Sequence, residues 1–154
     1  LARTFGDRAL IGAGTVLTPA DVDAVAGAGG RLIVSPNTDP EVIARTLALG
    51  MVSMPGAFTA TECFAAIKAG VRTIKLFPAS LIGPDGLKAL GAVMPRDVAL
   101  LAVGGASADN FKDWLAAGAA GFGIGSALYR PGDDAATVGV RARAMVAAYD
   151  AALQ

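Results

Sequence analysis

The sequence contains no histidine. That absence excludes imidazole acid–base catalysis, His-containing triads and His-ligated zinc or iron, so any catalysis has to use lysine, carboxylates, hydroxyls or backbone dipoles. Cysteine is nearly absent: Cys63 stands alone, no intrachain disulfide can form, and the reducing cytoplasm is the expected location. Set among apolar residues in an expected helix, Cys63 reads as a small core residue rather than a nucleophile. Net charge is also lacking. The 13 Lys and Arg balance the 13 Asp and Glu without a block of either sign, which gives no footprint for nucleic acid or an anionic membrane and leaves small molecules as the partner class. The uncharged stretch Trp114 to Tyr129 carries four glycines and falls short of the ~20 apolar residues a membrane span needs. Neither a transmembrane segment nor a signal peptide is expected.

What is present is a regular alternation. Short apolar runs at Ala9–Val16, Arg31–Pro36, Met51–Ala57, Thr73–Ser80, Val98–Gly105 and Gly121–Ser126 suit buried parallel strands, and helical stretches lie between them. Thr18-Pro19-Ala20-Asp21 puts a cap before a proline in the first helical turn, Thr59-Ala60-Thr61-Glu62 reads as a capping box, and Asp39-Pro40-Glu41 and Ser107-Ala108-Asp109 open further helices. Gly29, Gly50, Gly70 and Gly118 end them. Leu87, Leu90 and Met94, and Val138, Met145 and Tyr149, each mark an apolar helix face turned to a sheet.

The runs recur at roughly 20 to 25 residues, the pitch of a (β/α)8 barrel or a compact repeat. A leucine-rich solenoid would show L-x-x-L-x-L-x-x-N, which is missing. The fold expected is α/β, a TIM barrel with six βα units in residues 1–154 as one partial domain. An open six-stranded set would leave two apolar sheet edges exposed, and Leu1 to Asp7 reads as the last turn of a helix ended by Gly6. The expectation is therefore that the barrel's first two βα units, on the order of 50 residues, lie upstream.

Lys75, in the run Thr73-Ile74-Lys75-Leu76-Phe77-Pro78, is an ammonium among apolar β-formers. Desolvation lowers an amine's pKa from ~10.4 by up to several units, the condition for attack on a carbonyl as a Schiff-base nucleophile. A lysine snorkelling from a strand end or paired with a carboxylate is the plainer alternative. If Ile74 and Leu76 face helices, Lys75 and Phe77 face the barrel interior.

Barrel active sites form at the carboxyl ends of the strands. Here those ends read Gly12-Ala13-Gly14-Thr15, Val34-Ser35-Pro36-Asn37, Met54-Pro55-Gly56, Lys75 with Phe77, Val103-Gly104-Gly105-Ala106 and Gly123-Ile124-Gly125-Ser126. Glycine pairs after the last two strands match the usual barrel phosphate site, although turns use glycine as well. Carboxylates are scarce at these ends. Glu62 fits a capping box, Asp21, Asp39 and Asp109 fall in first helical turns, and Glu41 and Asp85 have no clear inward direction.

Taken together, G-A-G-T (Gly12 to Thr15), S-P-N (Ser35 to Asn37), I-K-L-F-P-A-S (Ile74 to Ser80), V-G-G (Val103 to Gly105) and G-S-x-L-Y (Gly125 to Tyr129) resemble the 2-keto-3-deoxy-6-phosphogluconate/galactonate aldolase family. Val103 before the glycine pair, where the gluconate enzymes typically have Thr, is similar to the galactonate branch. The resemblance implies a class I aldolase that cleaves 2-dehydro-3-deoxy-6-phosphogalactonate to pyruvate and glyceraldehyde 3-phosphate, with the gluconate epimer as the alternative substrate. It implies Lys75 as nucleophile, Thr15, Pro36 and Phe77 as substrate contacts, and Gly104, Gly105, Gly125 and Ser126 as the phosphate cradle. It implies no metal or organic cofactor, since the protonated imine is the electron sink, and a homotrimer in the cytoplasm.

The family's proton-shuttling Glu and a substrate-binding Arg belong to the segment expected upstream. Without such a group, worth ~10²–10⁴-fold, residues 1–154 alone would be a weakly active or non-catalytic phosphate-binding fragment. A phosphate-binding isomerase or epimerase that uses Lys75 only as a charge is the remaining enzymatic alternative.

Overall fold

Residues 1–154 are described by a computed structural model. The fold is α/β with parallel strands, and the chain divides into two compact units. The first comprises Leu1–Lys75 with Pro95–Ala99, the second Leu76–Met94 with Leu100–Gln154.

In the first unit a short helix α1 (Ala2–Phe5) precedes β1 (Gly12–Gly14), β2 (Leu32–Val34) and β3 (Val52–Met54). These strands pair in parallel in the order β1-β2-β3, with Ala13 opposite Ile33 and Ile33 opposite Ser53. Parallel neighbours require a crossover, and α2 (Pro19–Gly27) and α3 (Pro40–Ala48) provide them. Their packing makes a core of Val16, Val22, Ile33, Val42 and Met51, flanked by Ala13, Val25 and Ala26.

The starts of α2, α3 and the helix that comes after them are each fastened by a side chain. Thr18 accepts from the Asp21 amide at 3.1 Å while Asp21 accepts from the Thr18 amide at 3.1 Å, a reciprocal capping box. Asp39 accepts from the amides of Glu41 and Val42 ahead of α3. The box before α4 (Ala60–Lys68) is equally complete: the Thr59 hydroxyl accepts from the Glu62 amide, and the Glu62 carboxylate accepts from the amides of Phe58 and Thr59, both at 2.8 Å. Gly29, Gly50 and Gly70 follow the helices at φ of +84°, +66° and +103°, the left-handed ending that favours glycine.

The third apolar run departs from its expectation as one strand. It divides into β3 and β4 (Gly56–Ala57) at Pro55, which has no N–H to give to a ladder. The Pro55 carbonyl still accepts from the Lys75 amide at 2.9 Å, so β4 stands beside β5 (Thr73–Leu76). A Cβ on Gly56 would lie 2.3 Å from the Pro36 carbonyl oxygen, so the backbones can approach this closely only with glycine there.

The second unit contains α5 (Ala79–Gly91), the paired strands β6 (Ala99–Val103) and β7 (Gly121–Gly123), and the helices α6 (Phe111–Ala116) and α7 (Ala135–Ala152). Gly83, at φ +71° before Pro84, breaks α5 into two helical pieces, and Leu87 on the second piece is fully buried. Phe111 and Phe122 stack with centroids 4.3 Å apart, and Tyr149 meets both edge-on. One expectation fails in this unit. Ser107-Ala108-Asp109 form a turn rather than a helix start, and α6 opens two residues later behind Asn110. On α7, Met145 and Tyr149 are turned to Leu101 of β6 and Phe122 of β7 as expected of that face, which is half-buried.

Truncating Ile33, which is 1% exposed, to alanine should cost about 2–5 kcal/mol in urea unfolding, whereas Leu81→Ala at an exposed site should stay within about 0.5 kcal/mol. Equal losses at the two sites would contradict this core. Thr59→Ala should cost about 1 kcal/mol through the lost cap. Hydrogen bonds to the carboxylate, chiefly from the Phe58 amide and then from Thr59, hold the Glu62 pKa below its ordinary value. Its contribution to stability is therefore present above the ordinary glutamate range and lost as pH falls through the depressed value. Unfolding midpoints measured from neutral to acidic pH should decline less steeply in Glu62→Gln than in the parent.

Candidate active site

Lys75 is the buried charged residue of the chain, 9% exposed, between Ile74 and Leu76 at 0% each. Desolvation by the surrounding protein pushes its amine below the ordinary lysine value, toward the neutral nucleophilic form. The bond from its backbone amide to the Pro55 carbonyl fixes the strand that carries it. No buried side-chain nitrogen or oxygen in the molecule lacks a hydrogen-bond partner.

Thr15 stands at the end of β1, exposed, with φ of +56°. A β-branched residue rarely adopts the left-handed region, at a cost on the order of 1–2 kcal/mol. Its successor holds it there: the Val16 amide donates to the Val34 carbonyl at 3.3 Å, and the buried Ser35 hydroxyl donates to the Val16 carbonyl at 2.7 Å. The neighbouring strand end thus holds a strained turn at Thr15, a pattern that concentrates at functional sites. Pro36, at the end of β2, is half-buried, with its carbonyl against Gly56.

In the second unit, Phe77, Gly104, Gly105, Gly125 and Ser126 come together. With Val103, Ala106, Ser107, Gly123 and Ala127 they line a cavity of about 310 Å³. Its wall carries no acidic or basic side chain, so the polar groups it can offer are the hydroxyls of Ser107 and Ser126 and backbone amides. Gly104 and Gly105 both have positive φ, +87° and +89°. A Cβ on Gly105 would come within 2.7 Å of the Ser80 Cβ, and one on Gly104 would touch the Phe77 ring at 3.5 Å. The Ser80 amide donates to the Gly104 carbonyl at 2.8 Å, which ties the glycine loop to the start of α5.

Opposite this loop, the Gly125 carbonyl accepts from the amides of Leu128 and Tyr129. This makes a single helical turn whose first N–H groups, at Ser126 and Ala127, have no carbonyl within the turn to bind. Successive amides without carbonyl partners, on residues that line a cavity whose wall has no carboxylate, are groups that could meet an anion.

Asn110 is the contributor that sequence reasoning missed. Its side-chain oxygen accepts from the Ser107 amide and its nitrogen donates to the Gly105 carbonyl, each at 2.9 Å. It clasps the glycine loop and makes no side-chain cap on α6. The available signal was an Asn three residues after Ser107, a spacing at which Asn competes with backbone for turn hydrogen bonds. Glu62 is occupied by its cap, and no three of the acidic residues and the cysteine gather as a metal-binding group.

Residues 2–138 match the family model for KDPG and KHG aldolase. A probable 2-dehydro-3-deoxy-6-phosphogalactonate aldolase of Rhizobium meliloti (strain 1021) is 55% identical over 142 residues, 92% of this chain and 67% of that protein. The 2-dehydro-3-deoxy-6-phosphogalactonate aldolase of Escherichia coli (strain K12) is 51% identical over 150 residues, 97% of this chain and 73% of that one. A solved native KDPGal structure superposes with a TM-score of 0.97 at 50% identity, covering 99% of this chain and 74% of its own. With a family model across most of its length and relatives above half identity, the chain belongs to the KDPG and KHG aldolase family.

Proposed function

We propose that the protein is a class I aldolase that cleaves 2-dehydro-3-deoxy-6-phosphogalactonate to pyruvate and glyceraldehyde 3-phosphate, with Lys75 as the nucleophile. The observation that carries the reading is a lysine 9% exposed between two fully buried residues, its pKa lowered by desolvation, in a chain half-identical to aldolases so named. The neutral amine adds to the C2 ketone and loses water to give a protonated imine. The electrons of the C3–C4 bond then flow into the imine as the C4 hydroxyl gives up its proton, releasing the aldehyde and leaving an enamine. Protonation at C3 and hydrolysis return pyruvate and the free lysine.

In this reading Thr15 and Pro36 contact the pyruvate portion and Phe77 packs beside the imine. Gly104, Gly105, Gly125 and Ser126 hold the phosphate through amides and a hydroxyl. Glu62, fully engaged as a cap, leaves proton transfer at C3 and C4 to another group. Residues 1–154 act as one domain supplying six βα units of a (β/α)8 barrel, and the protein works as a cytoplasmic homotrimer. The galactonate epimer is favoured over the gluconate one by the identities to the galactonate-named relatives.

Pyruvate with borohydride should fix the reduced pyruvyl mass on Lys75 in a peptide map, and Lys75→Arg should take up none, because a guanidinium cannot form the imine. Turnover of a sugar phosphate by Lys75→Arg would sink the Schiff-base role in favour of an isomerase or epimerase, and faster cleavage of the gluconate epimer would reverse the substrate assignment. Gly105→Ala should raise KM for the phosphorylated substrate by about tenfold or more, since φ of +89° and the 2.7 Å approach to Ser80 distort the amide cradle. Trapping of pyruvate, which has no phosphate, should survive the same change.

A further inference from the structure

The geometry points to a positioning device behind the cavity: Arg130, Asp133 and Arg141 hold the Ser126–Ala127 peptide so that its N–H serves the phosphate. This rests on the aldolase reading above. The Arg130 Nε donates to the Ser126 carbonyl at 3.2 Å. A trans peptide places its C=O and N–H on opposite sides, so pinning the Ser126 oxygen outward fixes the Ala127 N–H in the reverse direction. Ala127 lines the cavity. Arg130 thus sets the direction of a donor whose own side chain is only a methyl group.

Asp133 in turn sets Arg130. Its carboxylate accepts from the Arg130 amide at 2.7 Å, while its own amide donates to the Arg130 carbonyl at 3.0 Å, closing a reciprocal turn. The same carboxylate takes a two-pronged contact from Arg141 on α7, Nη1 to Oδ2 and Nη2 to Oδ1, the arrangement that gives an arginine–carboxylate pair its rigidity. The Arg141 Nη1 also reaches the Leu128 carbonyl at 3.4 Å. One carboxylate therefore links Arg130 of the loop to Arg141 of α7, and through the two arginines two loop carbonyls are tied to that helix. With side-chain exposures of 34% for Arg141 and 17% for Asp133, the pair is shielded from full solvent screening. None of the three side chains lines the cavity, so they act through the loop and are not catalytic residues.

Asp133→Asn separates positioning from simple electrostatics by sign. Removing a negative charge near a phosphate site should tighten anion binding if charge alone matters, and should weaken it if the carboxylate holds the donors in place. We expect KM for 2-dehydro-3-deoxy-6-phosphogalactonate to rise about tenfold, the scale of one hydrogen bond to a charged group. Competitive inhibition by inorganic phosphate should weaken in parallel. kcat, and turnover of the unphosphorylated 2-dehydro-3-deoxygalactonate, should stay within about twofold. Arg130→Gln should repeat the pattern, and activity on the unphosphorylated substrate reports that either variant is folded. An unchanged or lower KM, or equal losses on both substrates, would overturn the positioning role while leaving the aldolase reading intact. A parent protein that releases pyruvate from neither substrate would remove the aldolase reading and this inference with it.

Discussion

A lysine at the end of β5 must live with very little water. An exposed ammonium is strongly hydrated, and burial of Lys75 removes part of that hydration, so the neutral amine gains population. The sign of the linkage follows. The unfolded chain binds the lysine proton more tightly than the folded one, so the burden that Lys75 places on stability is greatest while it is forced to be charged, and it eases as pH rises through its lowered pKa. The sheet accepts that burden because Ile74 and Leu76 bury fully on either side. The strand is also tied to the Pro55 carbonyl at the lysine itself. Local packing is given up at one position, and what is gained is a lone pair available nearer to neutral pH.

The cavity of the second unit solves a different problem with different means. It is framed by two adjacent glycines at positive φ and a single helical turn, and no basic side chain lines it. In the reading proposed above, an anion there would be met by dipoles whose directions are set by the chain, and dipoles have to be aimed. Gly104 is aimed by the Ser80 amide, Gly105 by Asn110, and the opposite turn by Arg130 through the Ser126 carbonyl. The arginine that could have neutralised an anion is spent on a carbonyl instead. This favours orientation over raw attraction, since preorganised N–H groups need no rearrangement when the ligand enters.

Much of this was legible in the sequence, for identifiable reasons. Capping residues act within three positions, so the helix starts at Thr18, Asp39 and Thr59 and the glycine endings could be read locally. All six apolar runs contain strands, since buried parallel strands need an unbroken apolar stretch. The errors came where one residue's role depends on distant partners. Pro55 splits a run because its missing N–H falls on a ladder, which only the pairing reveals. Asn110 displaces the Ser107–Asp109 helix start because its side chain closes back on the glycine loop. At the site, glycine and lysine types could be named from strand ends. The left-handed turn at Thr15 could not, because it is held by a serine hydroxyl bound to the Val16 carbonyl from 19 residues further along the sequence.

The allocation of carboxylates brings these points together. Asp21, Asp39, Glu62 and Asp134 each bind amides at a helix start, and Asp133 is held by Arg141 and the Arg130 amide. Such acids are stabilised as anions, as the lowered pKa values of Asp21, Glu62, Asp133 and Asp134 record, and an acid so stabilised is a poor proton acceptor. A reaction needing a permanent counter-charge opposite the substrate carbonyl would find none among them. The imine mechanism proposed above needs none: its electron sink would be a cation made from the substrate and Lys75 at the moment of reaction, and it would vanish on hydrolysis. A fold that commits these carboxylates to its architecture can still break a carbon–carbon bond, provided it keeps one amine dry.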